Sequence, residues 1–253
     1  MILAIVQARM GSTRLQGKVL KKINGKPLIE ILLQRLSRSE KIDKIILATA
    51  GNKENDILSE TVEKLGFAVF RGSEEDVLDR YYLAAKCYSP EAVVRITGDC
   101  PLIDPKLVDE IIGLYQDNGV DYASNIDPPT YPDGLDTEVF SFLALETAYK
   151  QTEKSFDREH VTPFIRTNEQ FKQKNYSNET DLSGERWTID YPEDFEVIKN
   201  IIKHFAPDPN FSWRDVLKLK QSNPELFEAN LGIKRNEGAD LGTGQKLYKR
   251  AKK

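Results

Sequence analysis

A short loop near the start of the chain combines the residue types that bind phosphate groups. It covers residues 8–18 and follows directly on the apolar run 2–6, whose length and position predict a central strand buried on both faces. Backbone amides of a glycine-bearing loop can approach an anion closely while fixed positive charges neutralise it. The sequence therefore predicts a polyphosphate site, with an ordinary surface turn carrying solvated cations as the alternative. After Ala8, the loop carries three cations, two glycines and two small hydroxyl residues: Arg9, Arg14, Lys18, Gly11, Gly17, Ser12 and Thr13.

This loop differs from the P-loop of nucleotide-binding proteins. Five residues separate Gly11 from Gly17 where the P-loop has four, and Lys18 is followed by Val19 rather than by serine or threonine. The phosphate-binding prediction therefore depends on the loop's charge and glycine content and not on that motif.

Two aspartates follow predicted strands and are candidate magnesium ligands. Asp99 comes directly after Thr97 and Gly98, at the end of a predicted strand at 92–97, and Asp190 follows a predicted strand at 186–189. In open α/β sheets, ligands bind outside the carboxyl ends of the strands, the edge from which the 8–18 loop departs. Mg²⁺ prefers one or two carboxylates together with water and phosphate oxygens. If the strands are parallel and adjacent, both aspartates meet a magnesium nucleotide; turn and helix-capping roles are the alternatives.

Other residues are weaker candidates. Arg71, at the end of a predicted third strand, could reach a phosphate or a substrate carboxylate, or could simply be solvated. His160 closes the cluster 157–160, which could orient a substrate or form a surface network of ion pairs. His204 reads as a helix-end residue. No Ser-His-Asp or Cys-His spacing indicates covalent catalysis.

The remaining pattern predicts an α/β fold. Apolar runs at 2–6, 44–50 and 67–70 alternate with helical periodicity after Pro27 and from Ile57 to Leu65, which indicates a β-α-β-α-β unit with a parallel sheet. A further strand at 92–97 precedes a helix capped by Asp104 with Pro105 in its first turn. Three prolines and a glycine within 127–134 indicate a loop on this scaffold.

Composition limits the partners. The 253 residues include 36 Lys or Arg and 40 Asp or Glu, so the net charge of -4 provides no general basic surface for nucleic acid or an anionic membrane. No apolar run approaches the ~20 residues that span a bilayer, and the two cysteines have no metal-binding spacing. We expect a cytoplasmic protein with one domain at 1–231, followed by a basic tail at 232–253 that cannot support a packed core.

Three segments, in this order, resemble motifs of the cytidylyltransferase family, which makes CMP-activated 3-deoxy-octulosonate and sialic acids. They are residues 7–20 (QARMGSTRLQGKVL), 97–103 (TGDCPLI) and 188–194 (TIDYPED). The sequence most resembles the spore coat polysaccharide biosynthesis protein F branch, over about residues 1–205. The resemblance implies a three-layer α/β/α sandwich of the GT-A-like kind, with a mostly parallel central sheet. Gln16 stands where the family usually has proline.

By the same resemblance, Arg9, Arg14 and Lys18 neutralise the triphosphate of CTP, Asp99 and Asp190 hold Mg²⁺, and Arg71 and residues 133–138 face the acceptor. The implied activity is transfer of CMP to a sugar, sugar phosphate or phosphonate with release of pyrophosphate, in surface polysaccharide or glycoconjugate synthesis. A GT-A glycosyltransferase and a non-catalytic nucleotide-binding module are the alternatives. The family often dimerises. Residues 241–253 resemble the opening of a class III, pyridoxal-phosphate-dependent aminotransferase domain, which implies a fusion.

Overall fold

A computed structural model describes residues 1–235 and 237 and shows an α/β/α sandwich. The strands are β1 (Ile2–Gln7), β2 (Lys22–Ile23), β3 (Lys26–Pro27), β4 (Lys44–Ala50), β5 (Ala68–Gly72), β6 (Ala92–Thr97), β7 (Tyr122–Ser124), β8 (Glu138–Ser141) and β9 (Gln173–Asn175). The helices are α1 (Leu28–Leu36), α2 (Asp56–Lys64), α3 (Val77–Lys86), α4 (Pro105–Asn118), α5 (Phe142–Gln151), α6 (Ser155–His160), α7 (Pro163–Thr167), α8 (Pro192–Phe205) and α9 (Trp213–Ser222). No helix of this described part is both long and apolar enough to cross a bilayer.

The central sheet has seven strands in the order β5-β4-β1-β6-β8-β7-β9. Only β8 runs against its neighbours, so the sheet is mostly parallel, as predicted. β1 lies between β4 and β6, and its side chains alternate between two apolar cores. Ala4 and Val6 pack beneath α1, α2, α4 and α8, whereas Leu3 and Ile5 pack beneath α3 and α5. Burial on both faces explains why this strand is a continuous apolar run.

Most of the predicted elements are confirmed, and one strand is wrong. β4, β6 and the Asp104 cap of α4 lie where the sequence predicts them. Residues 186–189 do not form a strand of the sheet. They make one isolated bridge, in which the Trp187 amide donates to the Asp133 carbonyl at 2.7 Å. The segment is therefore extended, but it rests on the 127–134 loop rather than on a neighbouring strand.

The beginning of the predicted tail contacts the domain. The Ile233 amide donates to the Asn230 carbonyl at 3.0 Å, and the Arg235 guanidinium donates to the Tyr131 carbonyl at 3.2 Å and pairs with Asp136. The boundary at 231/232 remains a prediction. The aminotransferase-like residues 241–253 lie outside the described residues.

One glycine allows the 186–189 segment to approach the loop. Gly134 has φ +109, and a Cβ there would lie 2.6 Å from the Trp187 carbonyl carbon and oxygen and 2.7 Å from the Thr188 nitrogen. All three are backbone atoms and cannot rotate away as a side-chain end could. The position therefore requires glycine for two reasons, its backbone conformation and the space around it.

We predict that Gly134→Ala lowers the free energy of unfolding by about 3 kcal/mol or more, because positive-φ strain and overpacking act together. Gly25→Ala is the matched control, since Gly25 also has positive φ (+81) but nothing lies within 4 Å of its Cβ position. Its cost should be only about 1 kcal/mol. Urea unfolding of both variants measures the difference, and equal costs would contradict the close approach.

Candidate active site

The carboxyl ends of β1 and β6 open into a cavity of about 340 Å³. Its lining combines the 8–18 loop, the end of β6, one residue after the 186–189 segment and the end of α6: Gln7, Ala8, Arg9, Gly11, Ser12, Thr13, Arg14, Lys18, Val19, Thr97, Gly98, Asp99, Glu159, His160 and Asp190. Every residue predicted to bind the nucleotide or the metal ion is among them except Arg71. The structure therefore brings the cationic loop and both aspartates to one edge of the sheet.

The loop is fastened at several points. The Met10 amide donates to the side-chain oxygen of Asn55 at 2.8 Å, and the amides of Ser12 and Gly17 donate to the Met10 carbonyl at 2.8 and 3.3 Å. Gly17 has φ +61, a left-handed conformation that turns the chain into the short 3-10 helix Lys18–Leu20. Asn55 is buried and far away in sequence, and no motif marks it. These contacts position Lys18 at the cavity floor.

Gly98 lets the ends of β1 and β6 come together. Its amide donates to the Gln7 carbonyl at 2.7 Å, and a Cβ at Gly98 would lie 2.6 Å from the Cβ of Ala8. Any side chain there would separate the loop's first residues from Asp99. The glycine therefore controls the distance between the cations and the first aspartate.

Lys18 connects the two aspartates. Its ammonium nitrogen lies 3.0 Å from Asp99 Oδ2, 2.9 Å from Asp190 Oδ1 and 2.7 Å from the Ile189 carbonyl oxygen, which uses all three of its protons. Arg14 adds a second contact to Asp190 Oδ1 at 3.0 Å. Carboxylates from two distant parts of the chain thus converge on one cation.

A buried arginine orients Asp190 from the opposite side. Arg186 donates to Asp190 Oδ2 at 3.2 Å, to Asp133 Oδ2 at 3.0 Å and to both oxygens of Asp194 at 2.8 and 2.9 Å. Asn230 donates to Asp194 Oδ1 at 2.9 Å. The sequence analysis missed this network. The spacing of Arg186, Asp190 and Asp194 at four-residue intervals was its only signal.

Asp194, and not Asp190, caps α8. Asp194 Oδ2 accepts hydrogen bonds from the amides of Asp190 and Tyr191 at 2.9 and 3.0 Å, and Tyr191 occupies the N-cap position. The capping alternative for Asp190 is therefore wrong, because Tyr191 holds the N-cap position and the Asp190 carboxylate accepts from Lys18, Arg14 and Arg186 instead. The Asp190 side chain is free to face the cavity.

The ionised forms of Lys18 and Asp190 stabilise each other. Burial alone would lower the pKa of Lys18, but Asp99 and Asp190 outweigh burial and raise that pKa above its ordinary value. Burial would raise the pKa of Asp190, but Lys18 and then Arg14 lower it well below its ordinary value. Both groups are charged at neutral pH, as their geometry requires.

Asp99 and Asp190 also suit a magnesium ion that arrives with phosphate groups. The Lys18 ammonium contacts one oxygen of each, so the two carboxylates lie close enough to approach a single cation. Across residues 1–235 and 237, no cluster of three or more His, Cys, Asp or Glu side chains forms a complete metal site. Two carboxylates fit Mg²⁺, because this ion takes its remaining ligands from water and substrate phosphates.

Arg71 lies outside the cavity, contrary to the sequence prediction. β5 is the edge strand, separated from β1 by β4. The Arg71 guanidinium pairs with Asp56 at 2.6 Å and donates to the Asn52 carbonyl at 2.8 Å. The carboxyl edge of the sheet is wide, and a strand end two strands away does not reach the site. Residues 133–138, predicted to face the acceptor, are likewise absent from the cavity wall. His204 lies in the last turn of α8, as predicted.

The fold places the cavity where α/β sheets bind nucleotides, and the family model and the similar structure identify the class as nucleotidyltransferase. A solved structure described as a cytidylyltransferase from Leptospira borgpetersenii has the same fold, with a TM-score of 0.87 and 35% identity over 92% of this chain and 99% of that one. A family model described as cytidylyltransferase matches residues 3–233. The chain belongs to the cytidylyltransferase family.

Two curated relatives extend this result. The chain is 35% identical to the spore coat polysaccharide biosynthesis protein SpsF of Bacillus subtilis, over 88% of this chain and 95% of that protein. It is 34% identical to the 3-deoxy-manno-octulosonate cytidylyltransferase of Geobacter sulfurreducens, over 46% of each chain. The resemblance to this family and to the SpsF branch is thereby confirmed.

The Asp194 contacts predict a pH dependence of stability. Burial would raise the Asp194 pKa, but Arg186, Asn230 and two backbone amides lower it. The folded protein then binds fewer protons at this group than the unfolded chain, whose value is about 3.9. The stabilisation is therefore present above about pH 4 and is lost as pH falls through the folded pKa.

We expect Asp194→Asn to cost about 3 kcal/mol at pH 7, and this difference from the wild type to shrink as pH falls below about 4. Urea unfolding at a series of pH values measures it. Asp117→Asn is the control, because Asp117 is exposed at the end of α4. A difference that does not change with pH would show that the Asp194 charge contributes nothing.

Proposed function

We propose that this protein transfers CMP from CTP to a small acceptor and releases pyrophosphate, in the synthesis of a surface polysaccharide or glycoconjugate. The observation that carries the proposal is the contact of Lys18 with both Asp99 and Asp190, in a cavity walled by the cationic loop of a cytidylyltransferase. The names of the SpsF and octulosonate relatives support an acceptor related to sugars.

Positioning and charge neutralisation account for the chemistry. Phosphoryl-type transfer requires little covalent participation from a protein, and preorganised positive groups stabilise the charge that develops on the phosphates. In this proposal Arg9 and Arg14 bind the triphosphate, Lys18 adds positive charge that neutralises it, and loop amides approach it near Gly11. The fastened loop holds these groups in place before the substrate binds.

Asp99 and Asp190 hold Mg²⁺, which supplies Lewis-acid polarisation of the phosphate oxygens when bound. Arg186 holds Asp190 by the oxygen that faces away from Lys18, so the other oxygen stays turned toward the cavity. This part of the proposal predicts that activity disappears with a chelator and returns with added Mg²⁺.

A glycosyltransferase would use the same fold with a nucleotide sugar, and a binding module would hold the nucleotide without turnover. Three cations and two glycines in one loop suit a free triphosphate better than a diphosphate ester. The deciding experiment measures pyrophosphate release from each of the four nucleoside triphosphates, with a panel of acidic sugars, neutral sugars, sugar phosphates and phosphonates. Tight CTP binding by calorimetry without release would favour the binding module.

Asp99→Asn and Asp190→Asn should each reduce turnover by about 100-fold or more, because each removes a proposed carboxylate ligand of Mg²⁺. Both side chains keep their size, but each variant also loses ion pairs, so circular dichroism and thermal unfolding establish that turnover is measured on folded protein. Asp117→Asn, with the same chemical change outside the cavity, serves as control. Near-normal Mg²⁺-dependent pyrophosphate release by either active-site variant would contradict the assignment.

Arg14→Gln should weaken CTP binding about tenfold, since it removes one phosphate-binding charge. Arg71→Gln removes the same charge from the same edge of the sheet but outside the cavity, and should leave affinity within about twofold. Calorimetry with CTP and Mg²⁺ measures both variants. Equal losses would mean that Arg71 reaches the nucleotide after all.

A further inference from the structure

Glu159 and His160 line the cavity from a different part of the fold than its other walls. All other lining residues belong to the end of β1, the loop and short helix that follow it, the end of β6, or Asp190. Glu159 and His160 lie at the end of α6, which packs beside α3 on the opposite face of the sheet from α1. They have no role in holding the triphosphate or the metal ion as proposed above.

The backbone is strained directly after His160. Val161 has φ +71 and ψ -56, and the Thr162 amide donates to the His160 carbonyl at 2.8 Å. This is a γ-turn of the rare, strained form. A β-branched residue at positive φ is a marked outlier, and such strain costs on the order of 1–3 kcal/mol. It places a sharp turn at the cavity wall.

Surrounding contacts hold this turn in place. Arg158 pairs with Asp76, the N-cap of α3, at 2.6 Å and donates to the Thr152 carbonyl at 3.0 Å. Asp157 accepts a hydrogen bond from the Thr152 hydroxyl at 2.8 Å, and the Val161 side chain is fully buried. The cluster 157–160 is therefore neither a surface network nor a single unit. Its first two residues anchor the helix, and its last two face the cavity.

This part of the cavity contains side-chain oxygens that can accept hydrogen bonds. The side-chain oxygen of Gln7 is buried, and no donor within residues 1–235 and 237 reaches it. The Glu159 carboxylate can only accept as well. A buried acceptor without a partner is costly, so a ligand that brings O–H groups gains the hydrogen bond that the protein lacks.

His160 is suited to accept a proton. Burial lowers its pKa, the nearby Arg95 of β6 and Arg166 of α7 lower it further, and Glu159 and Asp157 partly offset this. The net direction is downward, so the imidazole is neutral at pH 7 and retains one nitrogen lone pair. The ring packs against Phe156, with 4.6 Å between ring centroids.

We propose that Gln7, Glu159 and His160 form the acceptor subsite of this cavity, where they bind the hydroxyl groups of a polyhydroxyl acceptor and His160 takes the proton of the attacking hydroxyl. The inference rests on the proposed function. The acceptor oxygen forms a bond to the α-phosphorus of CTP, and the bond from that phosphorus to the bridging oxygen breaks. Pyrophosphate leaves with that electron pair, and the proton goes to the imidazole. The attacking group is thus a hydroxyl, and not a phosphate or phosphonate oxygen.

The test compares His160→Gln with wild type, using CTP, Mg²⁺ and a panel of neutral sugars and polyols, the corresponding sugar acids, and sugar phosphates. Removal of a general base should lower kcat about 100-fold or more. CTP affinity by calorimetry should stay within about twofold, because the phosphate-binding residues are intact. The acidic limb of the kcat–pH profile, which reports protonation of His160, should disappear.

Two variants separate catalysis from packing. His204→Gln changes the second histidine, on α8 outside the cavity wall, and should behave as wild type. Phe156→Leu weakens the packing of His160 but keeps the imidazole, so it should retain the acidic limb. If His160→Gln retained wild-type kcat and pH profile, or if its kcat and CTP affinity fell in parallel, the subsite proposal would be overturned.

The wild-type results distinguish the two proposals. Turnover only with acceptors that attack through a phosphate or carboxylate oxygen would overturn the hydroxyl subsite and leave the proposed function standing. No pyrophosphate release with any compound would count against both. Turnover with a neutral polyhydroxyl compound, lost in His160→Gln while CTP binding persists, supports the subsite.

Discussion

The ammonium of Lys18, held between the carboxylates of Asp99 and Asp190, is the interaction on which the cavity depends. Two carboxylates that face one small space repel each other, and a cation between them reverses that repulsion. The three groups come from a loop after β1, the end of β6 and a segment almost a hundred residues further along the chain. The contact therefore forms only when the loop, the ends of β1 and β6 and the 186–189 segment are all correctly placed relative to one another.

A different set of contacts holds each of these three side chains in place. Lys18 follows a left-handed glycine and a loop tied to Asn55, Asp99 depends on the close approach at Gly98, and Asp190 is held by Arg186. Arg186 is buried and surrounded by carboxylates, so its charge is compensated on several sides. Such support keeps charged side chains in a defined geometry before a ligand arrives, which is what electrostatic stabilisation of phosphate chemistry requires.

Sequence patterns predicted the sheet better than they predicted the segment that carries Asp190. The positions of β4 and β6 could be predicted directly from the sequence, since parallel strands that are buried on both faces appear as short apolar runs. Residues 186–189 also alternate in a strand-like way, but their partner is a proline-rich loop, and pairing with a loop leaves no periodic signal. Arg71 was misplaced for a related reason. The sequence shows that a residue follows a strand, but not how far that strand lies from the centre of the sheet.

The sequence by itself determined the α/β class, the cationic loop and the two aspartates, because strand burial, loop charge and short motifs are local properties of the chain. Only the tertiary structure decided which residues share the cavity. It excluded Arg71, it assigned Arg186, Asp194 and Asn55 to supporting roles, and it brought Glu159 and His160 to the wall. These placements follow from contacts between residues far apart in the chain, and no local pattern encodes such distances.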